Sequence, residues 1–473
     1  MKFHIKNLGK IKQADIEVND LTIICGPNSS NKTWLSYFIN HCLNTVNTRL
    51  AGTAIGLNEE LNECINDIIK NGSGFIDLER HLLTFKNAFD LCSYLAVDKL
   101  PSYFNLKSET FSNTEFTLDN SFGLNTEKQI IIEGRRVRIK KEHYSNLAEV
   151  EVQSDPLDKK IMNGKFFGSS FFNHVVKREI YTLITKVYVD NSIPTPFVIT
   201  SERTGCMVFQ PEIDRTTIKV KEALSELGRI SDLDSLPEDI LVTLEELSTG
   251  EHYTYASPVK HNVNVIRDAN LTILEDSFIK EHHPEVIQAM DKVNGGTFSF
   301  ANSQLVFTTE DSSTTLPVTI SSSSVKSLFL LDLYIKSMAS PNDLLLIDEP
   351  ELNLHPDNQR LMARVIARLV NTGVKVLITT HSDYLIREIN NAIALSNDFE
   401  DKEGFLNEHG LIEADTLDGN RVSAYAVDKI GIVAPMAISK FGIETALFDE
   451  LINNANDFQD DILEKIEPSL FED

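Results

Sequence analysis

Hydrophobic positions along this 473-residue chain fall into two kinds of pattern. Short unbroken apolar runs read as strands buried on both faces, and apolar residues three or four apart read as helices with one buried side. Near the start, "DLTIICG" is a β-rich run that stops at Gly26, and "KTWLSYFINHCL" continues from it as a helix. Far downstream, Leu344 to Ile347 and the run "KVLITT" (375–380) repeat the strand pattern. Between them Leu361, Val365, Ile366, Leu369 and Val370 keep helical spacing until Gly373 stops it. The spacing predicts a β-α-β crossover over 343–381, with its two strands parallel. Upstream, "TISSSSVKSLFLLDLYIK" (319–336) puts Leu328, Leu331 and Ile335 on one stripe of a helix that opens on four serines.

The middle of the chain breaks this rhythm. "ELNECINDIIK" and "LERHLLTFKNAFDLCSYLAV" read as helices, while "TEFTLDNSFG" and "QIIIEGRRVRIKK" read as strands. Residues 215–290 read as largely helical, with Ile218, Val220, Ala223 and Leu224 apolar, and "LSTGEHYTYASP" interrupts them. Sustained heptads are missing, so a long coiled coil is not expected.

Two ends of this pattern carry chemistry. "CGPNSSNKTW" (25–34) sits between a strand and a helix and resembles a phosphate loop, G-x-x-x-x-G-K-[ST], with Asn31 in place of its second glycine. Such a loop turns the backbone N–H groups of Gly26, Pro27, Asn28, Ser29, Ser30 and Asn31, proline excepted, toward phosphate oxygens at a helix N-terminus. Lys32 would reach the β- and γ-phosphates, and the Thr33 hydroxyl would hold Mg²⁺. Asparagine is among the best non-glycine residues at positive φ, which makes Asn31 a mild replacement. At the other end, Asp348 and Glu349 follow the strand 344–347 at once. Asp348 is placed to hold Mg²⁺ and Glu349 to polarise an attacking water. Two acids after a strand can also cap a helix, but Pro350 and the second strand argue against that here. His381 lies just past 375–380, where it reads as a sensor of the γ-phosphate. The serines Ser322, Ser323 and Ser324 either form an anion site or simply cap their helix.

Composition narrows the class. A 42% hydrophobic content supports a large core of two or three domains. No apolar run is long enough to span a membrane, and no basic-then-apolar signal opens the sequence. Five scattered cysteines without a C-x-x-C pair read as reduced thiols of a cytoplasmic protein. The formal net charge of −26 repels nucleic acid, so contact with it would need a local basic patch. "GRRVRIKKEHY" (134–144) aligns Arg136, Arg138 and Lys140 on one strand face; a solvated edge strand is the simpler reading of it.

Taken in order, these pieces resemble an ATP-binding-cassette type ATPase. The closer resemblance is to the branch holding RecF, structural-maintenance-of-chromosomes and overcoming-lysogenization-defect ATPases, often described as AAA family ATPases. It covers residues 1–50 and about 300–395. The resemblance implies an α/β fold with a mixed sheet flanked by helices and interrupted by an α+β or helical insertion. It makes Gly26 to Thr33 the Walker A loop, "LLLIDE" the Walker B strand, Glu349 the catalytic glutamate and His381 the switch histidine. Ser322 to Ser324 resemble the signature motif, which in this family binds the ATP of a partner subunit. "NLHP" (353–356) falls at the D-loop, with His355 where many members have aspartate. "SERTG" (201–205) resembles a motif after a core strand, which implies that Glu202 and Arg203 approach the site, and "FHIKNLGKIKQADIEV" resembles the first hairpin, with Gly9 at its turn. Serines replace the signature glycines and Asn31 a Walker glycine, yet Lys32, Asp348, Glu349 and His381 are all present. Slow hydrolysis, or a long-lived ATP state, is the expected consequence.

The expected organisation is an ATPase lobe (1–50), an inserted lid (51–200), a helical return (201–300), a second ATPase lobe (301–395) and an acidic C-terminal region (396–473). No Toprim-like acidic cluster follows His381, and the tail "DELINNANDFQDDILEKIEPSLFED" reads as an exposed acidic helix. The resemblance then implies an ATP- and Mg²⁺-dependent homodimer or higher oligomer that regulates a separately encoded effector, a nuclease or toxin, in bacterial anti-phage defence. The alternative is a RecF-like ATPase of DNA repair or recombination that binds nucleic acid directly. A transporter's nucleotide-binding subunit is disfavoured by the atypical signature and the insertion.

Overall fold

Five apolar strands sit side by side because their residues are too hydrophobic to leave either face in water. A computed structural model of the chain describes residues 1–119, 124, 127, 129–153, 169–188, 193–213, 255–444, 456–463, 465 and 466. The readings at Ile218, Val220, Ala223 and Leu224, and most of the break at 247–258, lie outside the described residues. Strands β1 (Lys2–Leu8) and β2 (Ile11–Glu17) form an antiparallel hairpin turning at Gly9, and β3 (Leu21–Cys25) runs into the loop before helix α1 (Lys32–Leu57). Next come α2 (Glu59–Asn71), β4 (Ser73–Asp77), α3 (Leu78–Asp98), β5 (Glu115–Asp119), β6 (Ile130–Glu133), β7 (Val137–Lys141) and β8 (Leu147–Val152). Helix Ser169–Tyr188 leads to β9 (Thr195–Ile199). Strands β10 (Gly296–Ala301), β11 (Gln304–Thr309) and β12 (Thr315–Pro317) form a small sheet ahead of helix Ser323–Leu333. Then β13 (Asp343–Asp348), helix Pro356–Asn371 and β14 (Lys375–Thr380) make the crossover, followed by helix Asp383–Leu395, β15 (Val422–Val427) and β16 (Ile432–Pro435).

The large sheet has nine strands in the order β5-β1-β2-β16-β15-β3-β14-β13-β9. Its β15-β3-β14-β13-β9 portion is parallel throughout, while β5-β1-β2 and the β15–β16 pair are antiparallel. This is a mixed sheet with helices on both faces. Alternation along β13 divides its side chains between two cores. Leu344 and Leu346 join the core that holds α1, α3 and the hairpin, and Leu345 and Ile347 the core of helices Pro356–Asn371 and Asp383–Leu395. Every residue of β13 is buried, and each such leucine or isoleucine stabilises the fold by about 1.5–3 kcal/mol. That burial is what fixes the position of Asp348 at the strand's end.

The boundary expected at residue 50 lies inside α1, which runs unbroken to Leu57. β5, read as part of the insertion, pairs with β1 at one edge of the large sheet. The region after 396 returns β15 and β16 to that sheet, with β15 beside the strand of the phosphate-loop sequence. Strand β7 corrects one expectation. It is not an edge: β6 and β8 pair with it on either side, in a four-stranded sheet ordered β4-β8-β7-β6. Its positive face is compensated inside that sheet and the adjoining turn, Arg138 pairing with Glu133 at 3.2 Å and Glu151 at 3.8 Å, and Lys140 with Glu142 at 2.6 Å. Among the described residues no helix is long and apolar enough to cross a membrane.

Candidate functional site

Parallel strands discharge their following loops on one edge, so β3, β14, β13 and β9 deliver four loops to the same place. Register sets how close they lie: Cys25 is opposite Thr380, Thr379 opposite Asp348, and Ile347 opposite Ile199. The sequence-selected residues Gly26 to Thr33, Asp348, Glu349 and His381 therefore converge at the C-terminal ends of adjacent strands.

Residues 26–31 form a tight loop that needs unusual backbone angles. Ser29 lies at φ 63° and Asn31 at φ 66°. Left-handed backbone costs most L-residues about 1–2 kcal/mol, and the short amide side chain of asparagine tolerates it best. The Asn31 side chain turns toward the β1–β2 hairpin, where a Cβ on Gly9 would stand 2.5 Å from its Nδ2 and 2.8 Å from the Trp34 ring. Glycine at position 9 is thus required by close approach. Gly26 is constrained likewise, since a Cβ there would fall 2.9 Å from the Val427 carbonyl oxygen at the end of β15.

Helix α1 begins at Lys32 without a side-chain cap and without an acid in its first turn. Its leading N–H groups and dipole are left to meet an anion. By contrast, Asn58 caps α2 and Asp77 caps α3. Lys32 is buried, and its ammonium donates to the carbonyls of Gly26 at 2.8 Å and Pro27 at 2.9 Å. Burial lowers its pKa, against the opposing pull of Glu349 and Asp348. The loop is closed around its own cation, a place that phosphate oxygens can take over.

Thr33 donates its hydroxyl to Asp348 at 2.9 and 3.1 Å, and the Thr379 hydroxyl donates to the same carboxylate. Asp348 is only 1% exposed. Burial raises its pKa above the ordinary carboxylate value, while hydroxyl donors from Thr379, Thr33 and Ser201 partly offset that rise. Glu349 follows in left-handed backbone, at φ 51°, with its N–H donating to the Thr379 carbonyl at 3.0 Å. A glutamate gains nothing from that conformation locally, so the surroundings hold it there. Its carboxylate is 3.4 Å from Nδ1 of His381.

Two participants, Glu351 and Thr379, were not singled out from sequence as site groups, and a third, Arg203, was expected from the resemblance of "SERTG" to approach the site. Glu351 is buried and accepts from the Thr380 hydroxyl at 2.7 Å and the His381 N–H at 3.0 Å, and it lies 3.6 Å from the His381 ring. Its Oε2 is buried without a hydrogen-bond partner among the described residues. The third acid of "DEPEL" was the available signal, masked by the proline before it. Thr379 is legible only from strand pairing. Arg203, in the segment after β9, is buried and donates to the carbonyls of Thr200, Ser327, Asp348 and Glu349. Its neighbour Glu202 accepts from the Tyr37 hydroxyl at 3.0 Å.

The serines do not join this cluster directly. Ser322 caps helix Ser323–Leu333, accepting from the Val325 N–H at 3.3 Å, and its hydroxyl pairs with that of Ser324 at 2.8 Å. Ser322 and Ser323 are exposed. His355 caps helix Pro356–Asn371. A cavity of about 640 Å³ between the helices around Arg364, Asn391 and Phe405 stands apart from the cluster and shares none of its residues.

The profile of the AAA ATPase domain family matches residues 1–386. No curated protein matches the chain. Solved structures with a similar fold include an Smc head bound to the C-winged helix domain of ScpA, at 10% identity and TM-score 0.34 over 93% of this chain and 97% of that one. Another is the Smc head domain with an extended coiled coil bound to the C-terminal domain of ScpA, from Pyrococcus furiosus, at 10% identity and TM-score 0.30 over 97% and 98%. The SMC head domain from Thermotoga maritima aligns at 12% identity and TM-score 0.27 over 93% and 98%.

Proposed function

The chain belongs to the AAA ATPase domain family and is an ATPase, and from that premise we propose that ATP is bound and cleaved at the edge where β3, β13 and β14 end. One observation carries this reading: a lysine-filled loop at an uncapped helix N-terminus faces a hydroxyl-bonded carboxylate and a glutamate paired with a histidine. Residues 26–33 cradle the phosphates, and Lys32 exchanges the Gly26 and Pro27 carbonyls for phosphate oxygens. Glu349 takes the proton of the attacking water, and His381 marks the γ-phosphate position beside it.

Mg²⁺ fits the groups that are present. Thr33 and Asp348 offer a hydroxyl and a carboxylate in contact, oxygen donors of the kind Mg²⁺ takes together with substrate phosphates. A dication would also relieve the buried charge that raises the Asp348 pKa. When bound, it supplies charge neutralisation at the phosphates. No set of three His, Cys, Asp or Glu side chains is poised for a metal among the described residues, and a site completed by phosphates does not require one.

Ser322 to Ser324 serve a second copy in this reading. They are tied to their own helix and are partly or fully exposed, open to the nucleotide of a partner subunit. ATP therefore joins two subunits, and the joined state controls a separately encoded nuclease or toxin in anti-phage defence. Acidic helical residues at 456–463 and 465–466 support a protein partner, since Phe458, Ile462 and Ile466 follow one another at four-residue spacing and are all exposed. The competing reading, direct DNA binding in repair, finds its basic strand β7 already paired with acids.

Sedimentation with ADP and with ATP tests the assembly: ATP alone should double the mass, and equal mass with both nucleotides overturns it. The adjacent reading frame tests the partner: a nuclease or toxin whose activity changes on adding this ATPase with ATP supports regulation. Strong, salt-sensitive stimulation of ATP turnover by DNA would instead favour the repair reading.

A further inference from the structure

Arg203 is a buried cation that, like Lys32, forms no ion pair with a carboxylate among the described residues, but it reaches across several elements instead of staying within one loop. Its hydrogen bonds go to backbone carbonyls. Nε donates to Ser327 at 3.0 Å, Nη1 to Thr200 at 3.1 Å and Asp348 at 2.8 Å, and Nη2 to Glu349 at 2.7 Å. Only guanidinium has enough donors, fixed in one plane, to meet four such acceptors at once. Burial lowers its pKa while Asp348, Glu351 and Glu349 support the charge through space, and arginine stays protonated under that strain.

The four carbonyls belong to three elements. Thr200 directly follows β9, Asp348 ends β13 with Glu349 next to it, and Ser327 lies in the first turns of helix Ser323–Leu333. A second strap runs alongside, since the Ser327 hydroxyl donates to the Ser324 carbonyl at 2.8 Å and to the Leu352 carbonyl at 3.2 Å. Glu349 is the residue at this junction held in left-handed backbone, and its carbonyl makes the shortest of the four bonds. A displacement of the serine-rich helix start would be carried by Ser327 to the guanidinium, and from there to the peptide that aims the Glu349 carboxylate.

We infer that Arg203 is a positioning residue that locks Glu349 in its left-handed backbone and couples it to helix Ser323–Leu333, the helix that opens on the serines. The inference rests on Glu349 acting as the base in the reading above. In that scheme a second subunit's nucleotide, seated at the serines, reports its presence to the first subunit's base without touching it.

The test measures ATP affinity and the single-turnover rate per bound ATP for Arg203→Ala, Arg203→Lys and Glu349→Gln. Arg203→Ala should bind ATP within about threefold of the parent and cleave it at least tenfold more slowly. Arg203→Lys, with three donors for four acceptors, should recover part of that rate. A merely structural arginine would lower the melting temperature and leave the rate per bound ATP unchanged. Rates within twofold of the parent in both arginine variants overturn the inference; if Arg203→Ala does not fold, Arg203→Lys decides on the same criterion, with at least a threefold loss expected. Glu349→Gln separates the two levels. Normal turnover there removes the base assignment itself, whereas an inert Glu349→Gln beside fully active arginine variants removes the coupling alone.

Discussion

The phosphate-type loop at 26–33 and the acidic turn at 348–353 stand at the ends of neighbouring strands in one sheet and are built on opposite plans. Both place non-glycine residues in left-handed backbone, Ser29 and Asn31 in the first, Glu349 and Asn353 in the second. The loop is held mainly by itself, with Lys32 donating to two of its carbonyls and Lys10 to the carbonyl of Ser29. The turn is held from outside, by Arg203, Thr33, Thr379 and the strand pairing beneath them. A self-bonded loop can trade its internal bonds for a ligand's at little cost. A cross-braced turn keeps its carboxylates aimed whether or not ligand is present, which is what preorganised catalysis needs. The strain is therefore adaptable in one region and fixed in the other.

Substitutions in the fixed region should leave binding alone and strike the chemical step. Glu349→Gln keeps size and hydrogen bonding but removes the base, so turnover should fall by about 10²–10⁴ with ATP affinity retained. The same variant should accumulate the ATP-bound dimer, visible by sedimentation. Unchanged turnover in purified protein would erase the distinction drawn between the two regions. In the adaptable region the opposite split is expected. Lys32→Ala removes the cation from the loop, so affinity should fall at least tenfold, about 1.4 kcal/mol or more. Equal binding of a fluorescent ATP analogue by both proteins would show that the loop is not the phosphate site.

Ser322 probes how far the bracing extends. As the cap of helix Ser323–Leu333 it contributes about 1 kcal/mol, which Ser322→Ala should cost in denaturant unfolding. Ser322→Gly retains most of the cap, losing only a few tenths of a kcal/mol, yet removes the hydroxyl. If the serines contact a partner's nucleotide, both variants should lower ATP-driven dimerisation. Two stable variants with normal dimerisation would confine Ser322 to capping.

How much of this was legible in sequence follows from burial and spacing. β3, β13 and β14 announce themselves as apolar runs because a central parallel strand must be hydrophobic on both faces. The groups after those runs, Lys32, Thr33, Asp348, Glu349 and His381, could be placed beside one another for the same reason: strand ends fix them. Thr379 was not singled out, because its role depends on which strands become neighbours, and register is not written in its local stretch; Arg203 was legible only through the resemblance of "SERTG", and its carbonyl partners were not. The strand β8 escaped notice, so β7 was read as an edge. The place of β5, β15 and β16 in the large sheet was equally hidden, since pairing across more than a hundred residues leaves little local pattern. Capping by Ser322 could be read from its position, whereas its relation to a second subunit could only come from the resemblance.

The finest test of adaptable against fixed strain is Asn31. Its φ of 66° is a conformation glycine adopts freely and valine resists. Its amide nitrogen lies against Gly9 in the β1–β2 hairpin. Glycine at 31 would gain by relief of left-handed strain, about 1 kcal/mol, and lose about 0.5–1 kcal/mol to greater freedom in the unfolded chain. The two nearly cancel, so Asn31→Gly should change stability by only tenths of a kcal/mol and leave both affinity and turnover within about threefold. Asn31→Val keeps no such balance: a β-branched side chain at positive φ forces the loop to a different shape, and ATP affinity should fall by about tenfold or more. Titration calorimetry and a phosphate-release assay on both variants decide the matter. Should glycine preserve binding but abolish turnover, the Asn31 amide takes part in the reaction and the loop is no passive mould. Should valine bind ATP as the parent does, the left-handed geometry at 31 does not govern the site, and the loop's strain is not of the adaptable kind.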